Sequence, residues 1–169
     1  MAAGYSEQTE GAMLCIKAAE DWALECVSSL PNLDRHVFID YGAADGGTAR
    51  EFWSTILSKT NTLFPRSELT LIGNDLPSND NQALVDSLNY QHSVNKNINT
   101  YLCARSFYDQ LSSSSSVSFG FSATAMHWLS RHLELNNHTH IQAASDHKNF
   151  NKFRDQALAD WELILMQRS

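Results

Sequence analysis

The sequence predicts an α/β domain built on a parallel sheet, with helices covering both faces. Three observations predict it. Short apolar runs of strand length recur at Val37–Ile39, Leu69–Gly73, Thr100–Ala104 and Val117–Phe121. Segments with apolar residues at helical spacing lie before and between them. A glycine-rich turn, Gly42 to Gly47, stands where the first strand would open into a helix, as at the front of a βαβ unit. The chain's 169 residues, 43% of them apolar, are one domain's worth and enough to bury a core.

Taken in order, Met13, Ile16, Ala19, Trp22, Ala23, Cys26 and Val27 mark an amphipathic helix from about Gly11 to Leu30, stopped by Pro31. The strand at Val37 ends at Asp40, and Ala49, Phe52, Trp53, Ile56 and Leu57 form one face of a second helix from Thr48 to near Lys59. Pro77 has no N–H for a ladder, so the second strand stops at Asn74-Asp75-Leu76. Ala83, Leu84 and Leu88 resume helical spacing, and the third strand at Thr100 leads into Ser106 and Phe107. The serine run from Ser112 to Ser116 reads as a solvated loop before the fourth strand. Ala125 to Leu129 is expected to form one or two helical turns. Phe150, Phe153, Ala157, Trp161, Ile164 and Leu165 predict a final amphipathic helix.

Charge and cysteine content exclude several classes. A net charge of −7, with acidic residues spread along the chain, argues against binding a nucleic-acid backbone. No apolar run reaches the roughly 18 to 20 residues of a membrane span, and the first residues lack a signal-peptide pattern, so a soluble cytoplasmic protein is expected. Cys15, Cys26 and Cys103 are too scattered for a disulfide scaffold and are expected to be buried thiols. His138 and His140 have no third ligand at a suitable spacing, so no metal site is predicted, and Ser145 and Asp146 read as a helix cap.

In an open parallel sheet, ligands sit outside the C-terminal ends of the strands. Those ends carry Asp40 with the glycine turn, Asp75, Ser106-Phe107, and Ser122 through Trp128. The turn is not a dinucleotide fingerprint, because its glycines fall at Gly42, Gly46 and Gly47, and no Gly-Lys-Ser/Thr follows for a P-loop. It would let a carboxylate lie against bare backbone at a helix N-terminus. Asp75 can accept both hydroxyls of a ribose diol, with no basic residue beside it to favour a ribose phosphate. A nucleoside carrying an amino-acid tail fits both features, and S-adenosylmethionine has that shape.

Four blocks then resemble, in order, those of the SABATH methyltransferases. They are Phe38-Ile39-Asp40-Tyr41-Gly42-Ala43-Ala44-Asp45-Gly46-Gly47-Thr48, Asn74-Asp75-Leu76-Pro77-Ser78-Asn79-Asp80, Ala104-Arg105-Ser106-Phe107-Tyr108 and Met126-His127-Trp128-Leu129-Ser130. The family uses S-adenosylmethionine to methylate carboxylates of salicylate, benzoate, jasmonate and related acids, and some members methylate xanthine nitrogens. The resemblance implies a Rossmann-like methyltransferase fold and an acid acceptor. By it, Asp40, Gly42, Gly46 and Thr48 face the methionine part of the cofactor, Asp75 and Leu76 its ribose and adenine side, and Ser106 and Phe107 flank the adenine. Trp128 directs its indole N–H at the acceptor carboxylate, His127 lines the same pocket, and Tyr5 and Ser6 begin an N-terminal block that closes over both ligands.

The sequence departs from the family at three of these places. Ala12 stands where a glutamine would grip the acceptor, Thr48 where the glycine block has asparagine, and Thr124 where a tyrosine is expected. Family members are also much longer, so the chain is expected to be the N-terminal part of a longer enzyme whose remaining strands and helical cap lie beyond residue 169. Two other readings stay open at this level: a cofactor-binding protein without turnover, and a Rossmann protein of the NAD or nucleotide-sugar type. Trp128 can also be read as a core residue and Asp75 as a turn residue or helix cap. Sequence sets no oligomeric state; a homodimer is the candidate assembly.

Overall fold

The computed structural model describes residues 10–95, 97–134 and 147–168. The elements run α1 (Glu10–Ser28), β1 (Arg35–Tyr41), α2 (Arg50–Leu63), β2 (Glu68–Asp75), α3 (Asn81–Val94), β3 (Ile98–Ala104), β4 (Phe119–Phe121) and α4 (His147–Met166). All four strands join one parallel sheet in the order β3-β2-β1-β4. The alternation of short apolar strands with helices produces the predicted class. From β1 the chain steps twice to one side, then returns to β1's other edge as β4, so a crevice opens outside the end of β1.

Two compact units partition the chain. Of the described residues, one holds those up to Phe107 together with Leu111–Met126, and the other holds Tyr108–Gln110 and those from His127 onward. The first contains the sheet and its core, in which Phe38, Leu69, Leu71 and Ile98 from the strands meet Phe52, Ile56, Leu57, Leu84, Leu88 and Val27 from the helices. Right-handed crossovers put α2 and α3 on the same face. The sheet is therefore covered unevenly, which corrects the expectation of two covered faces within this unit. Leu69, Leu71 and Gly73 are buried, while Thr70 and Ile72 between them are only half-buried and Tyr101 is exposed.

Other expectations need correction. α1 buries only Ile16, Ala23 and Val27, and leaves Met13 and Trp22 in solvent, because α2 is its main neighbour and takes a narrow stripe. Cys15 and Cys26 lie outside that stripe and are exposed, and Cys103 is intermediate, so the thiols are not buried as expected. Ala125 to Leu129 forms turns and bends rather than helix, since five residues seldom nucleate one without supporting packing. α4 forms as its periodicity predicts, yet Phe150, Trp161 and Leu165 are exposed, and Asp160 and Ile164 are its buried residues among those described. His138, His140, Ser145 and Asp146 lie outside the described residues. No helix among the described residues is long and apolar enough to cross a membrane.

At the N-terminal end of β1, His36 is fully buried, its ring 4.7 Å from Phe64 and its Nδ1 3.3 Å from Ser118 Oγ. Nε2 has no partner, and burial lowers the imidazole pKa. The unfolded ring still protonates near its ordinary value of about 6.5, so the stability this group contributes is complete above that pH and declines as pH falls toward the lowered folded value. Urea unfolding of His36→Phe at successive pH values should show a shallower acid loss of stability than the wild type. Parallel curves would show that the imidazole titrates alike in the folded and unfolded states.

Candidate functional site

β1 ends in Asp40 and Tyr41, and the chain then reverses through three left-handed residues spaced two apart: Gly42 (φ +69), Ala44 (φ +54) and Gly46 (φ +72). Two are glycines, for which this conformation is ordinary, but Ala44 carries a Cβ and is strained there. It is held from two sides. Its N–H donates to Asp75 Oδ2 at 2.7 Å, and its carbonyl accepts from Asn79 Nδ2 at 2.6 Å. Ala43 N–H bonds Asn74 O at 2.9 Å, so the ends of β1 and β2 are stitched by backbone as well. Gly46 is required by packing too, since a Cβ there would lie 2.7 Å from Ser87 Cβ.

Asp75 is buried at the end of β2. Its Oδ1 accepts from Leu76 N–H at 2.7 Å, and its Oδ2 is the atom that holds Ala44. Each carboxylate oxygen accepts two hydrogen bonds, so both keep capacity for a ligand. The helix-cap reading of Asp75 fails, because Asp80 caps α3 by accepting from Gln82 N–H. Leu76, next in the chain, is exposed.

Asp40 is buried beneath the turn, its Oδ2 accepting from the indole N–H of Trp53 at 2.8 Å. Burial pushes its pKa up to about 7; the Trp53 hydrogen bond works against that rise and the charge of Asp75 adds to it. Asp40, Gly42, Thr48, Ala12 and Thr124 line a single pocket of about 30 Å³ in this unit. Phe107 reaches the same turn: a Cβ on Gly42 would clash with Ala125 Cβ and come 3.8 Å from Phe107 Cδ1. Ser106 follows two residues after Ala104, whose register partner is Asp75. α2 starts at Ala49 with no side-chain cap, leaving the orphan amides of its first turn to other acceptors.

In the second unit, His127 and Trp128 are exposed, with ring centroids 5.0 Å apart and planes tilted by 34°. Trp128 is 59% exposed, so it is not the core residue that one reading allowed. Its backbone is nonetheless clamped. Tyr108 donates its hydroxyl to the Trp128 carbonyl at 2.6 Å, and Asp160 accepts from Ser130 N–H at 2.8 Å, Ser130 Oγ at 2.6 Å and Gln156 Nε2 at 2.7 Å. Burial alone would raise the Asp160 carboxyl, but these donors outweigh it and lower its pKa. Burial, reinforced by Asp160, pushes the Tyr108 phenol up to about 12.

The family model described as SAM dependent carboxyl methyltransferase matches residues 23–169. The chain belongs to that family. Among solved structures, a loganic acid methyltransferase with SAH superposes with a TM-score of 0.78 at 21% identity, over 97% of this chain and 51% of that one. At that identity the likeness establishes the fold. The chain spans about half the length of the solved relative. No curated protein matches it.

Of the residues that the sequence singles out, the first unit gathers Ala12, Asp40, Gly42, Thr48 and Thr124 in one pocket, with Gly46, Asp75 and Phe107 around the same turn. His127 and Trp128 belong to the other unit. Tyr5 and Ser6 lie outside the described residues. Sequence reasoning missed Ala44, Asn79 and Trp53. Asn79 stands inside a quoted block, but nothing in its spacing announces a bond to a strained carbonyl. The helical spacing marks Trp53 only as a helix-face residue, and its hydrogen bond spans 13 positions.

Because Gly46 meets two demands, Gly46→Ala should destabilise the protein by about 2 kcal/mol or more in chemical unfolding. Gly11→Ala, in helix α1 with nothing within 4 Å, should be neutral or stabilise by up to about 1 kcal/mol. Equal effects of the two would mean that the turn relaxes around a side chain.

Proposed function

We propose that this chain binds S-adenosylmethionine across the ends of β1 and β2 and serves the methylation of a small organic acid's carboxylate, forming a methyl ester. The observation that carries the reading is the bond from the Ala44 amide to Asp75, which puts a carboxylate with spare acceptor capacity beside a left-handed turn and an uncapped helix start. On this reading Asp75 receives the ribose hydroxyls, Leu76, Ser106 and Phe107 border the adenine, and the first turn of α2 receives the cofactor's carboxylate. Asp40 faces its ammonium group. The pocket of about 30 Å³ at Asp40 is the floor of the ligand site, with the sugar and base lying beyond it toward Asp75. A cytoplasmic location belongs to the same reading.

When bound, the cofactor supplies an activated methyl group on a sulfonium. The acceptor is an acid with a pKa of about 4, ionised at neutral pH, so no residue need act as a general base. The protein's task is to align the acceptor oxygen and to keep water from it. Trp128 is suited to this, because an indole N–H only donates, and its clamped backbone limits the positions the ring can take. His127 stands beside it as a second donor.

A second reading, cofactor binding without turnover, has an observation of its own. Ala12 and Thr124 line the pocket with short side chains where the family resemblance expects a glutamine and a tyrosine. Calorimetric titration with S-adenosylhomocysteine, beside a methyl-transfer assay on aromatic and aliphatic acids, separates the two: binding with ester formation supports the first and binding alone the second. Asp75→Ala should lower cofactor affinity by about 1.5–3 kcal/mol per lost hydrogen bond, and unchanged affinity removes Asp75 from the site. Affinity should also rise as pH increases through about 7, where Asp40 ionises to meet the ammonium group, and Asp40→Asn should flatten that rise. In the transfer assay Trp128→Phe should raise the acceptor KM more than the cofactor KM; equal changes would assign Trp128 a packing role.

A further inference from the structure

Trp53 makes one polar contact of consequence. Its ring is 2% exposed and locked edge-on among aromatics: 5.3 Å from Phe52, 6.3 Å from Phe38, 6.2 Å from Phe119 and 6.3 Å from Phe121. A buried indole N–H needs one acceptor, and a backbone carbonyl would suffice. Here it is directed instead at the carboxylate of Asp40, 2.8 Å away, on the wall of the pocket under the glycine turn. An indole can engage only one of the two carboxylate oxygens.

We propose that Trp53 is a positioning residue for the cofactor's amino-acid end, its indole holding one oxygen of Asp40 inward so that the other is presented to the ligand's ammonium group. The proposal rests on the reading that puts the methionine end at the glycine turn. The surrounding charges define what the indole must do. Asp75 reaches Asp40 from the end of β2 and opposes its ionisation. Arg50, from α2, lines a second small cavity beside Asp40, with its guanidinium over the Tyr90 ring at 5.2 Å. α3 brings Ser87 and Gln91 to that cavity, and α1 and the segment after β4 bring Ala12, Ile16, Ala123 and Thr124 to the pocket, none of them charged. Trp53 is the one group with a hydrogen bond to the Asp40 carboxylate among the described residues, and that bond favours the ionised form.

The test is calorimetric titration of S-adenosylhomocysteine from about pH 5.5 to about pH 8.5 with the wild type and Trp53→Phe, which keeps an aromatic ring and removes the donor. The variant's affinity should be lower at the alkaline end, where the ionised carboxylate is no longer held in place, and should fall further at lower pH, with the midpoint moved up by about one unit. A loss equal at every pH, or an unmoved midpoint, overturns the proposal and leaves Trp53 as packing. Should Trp53→Phe fail to fold, the wild-type indole proton resonance of Trp53 decides. It should shift with pH at the midpoint of the affinity curve and stop titrating when S-adenosylhomocysteine is bound, and a resonance flat across the range overturns the proposal. Failure of S-adenosylhomocysteine to bind at any pH would instead remove the underlying reading of the site, and the proposal with it.

Discussion

The contact on which the site depends is the hydrogen bond from the Ala44 amide to the Asp75 carboxylate. A left-handed alanine between two left-handed glycines is a conformation that a free chain would leave, and the charge-assisted bond, with Asn79 on the carbonyl side, keeps it there. That single tie settles several things together. It holds the turn after β1 against the end of β2, directs the start of α2, and spends part of the hydrogen-bonding capacity of Asp75 while leaving the rest. Asn74 extends the stitching outward by donating to Cys103 O and Arg105 O, so the ends of three strands are joined by two consecutive residues of β2.

This arrangement collects negative charge. Asp40 and Asp75 stand close enough for one to disfavour the ionisation of the other, and burial of Asp40 compounds the effect. A sheet end that only had to be stable would be better served by a neutral side chain at Asp40. On the proposed reading the tension has a use, because a cationic ammonium group relieves it, and the free energy released on ligand binding reflects strain already present in the empty protein. The N–H of Trp53 moderates that tension without abolishing it.

The second unit applies another kind of order. His127 and Trp128 face solvent, yet the backbone beneath them is fixed by Tyr108, Ser130, Gln156 and the buried carboxylate of Asp160. Exposed rings on a fixed backbone lose less conformational freedom on meeting a ligand than rings on a loose loop. α4 supplies Asp160 and Gln156 to this cluster while leaving Trp161 and Leu165 exposed.

The strand positions, the turn at Gly42–Gly47 and the nucleoside-plus-amino-acid shape of the expected ligand were legible in the sequence by itself, because periodicity, glycine and strand-end acids are local signals. The same logic marks Asp40 and Asp75, whereas Thr48 enters only through the family resemblance. Burial was legible only in part. Trp22 and Trp161 follow the helical period as faithfully as Phe52, but whether a stripe is covered depends on which neighbour arrives, and no window of sequence contains that neighbour. The bonds from Trp53 to Asp40, from Asn79 to Ala44 and from Ser130 to Asp160 were decided by tertiary structure alone. Each couples a side chain on one element to a group on another, and the distance between them is set by packing that the spacing along the chain does not encode.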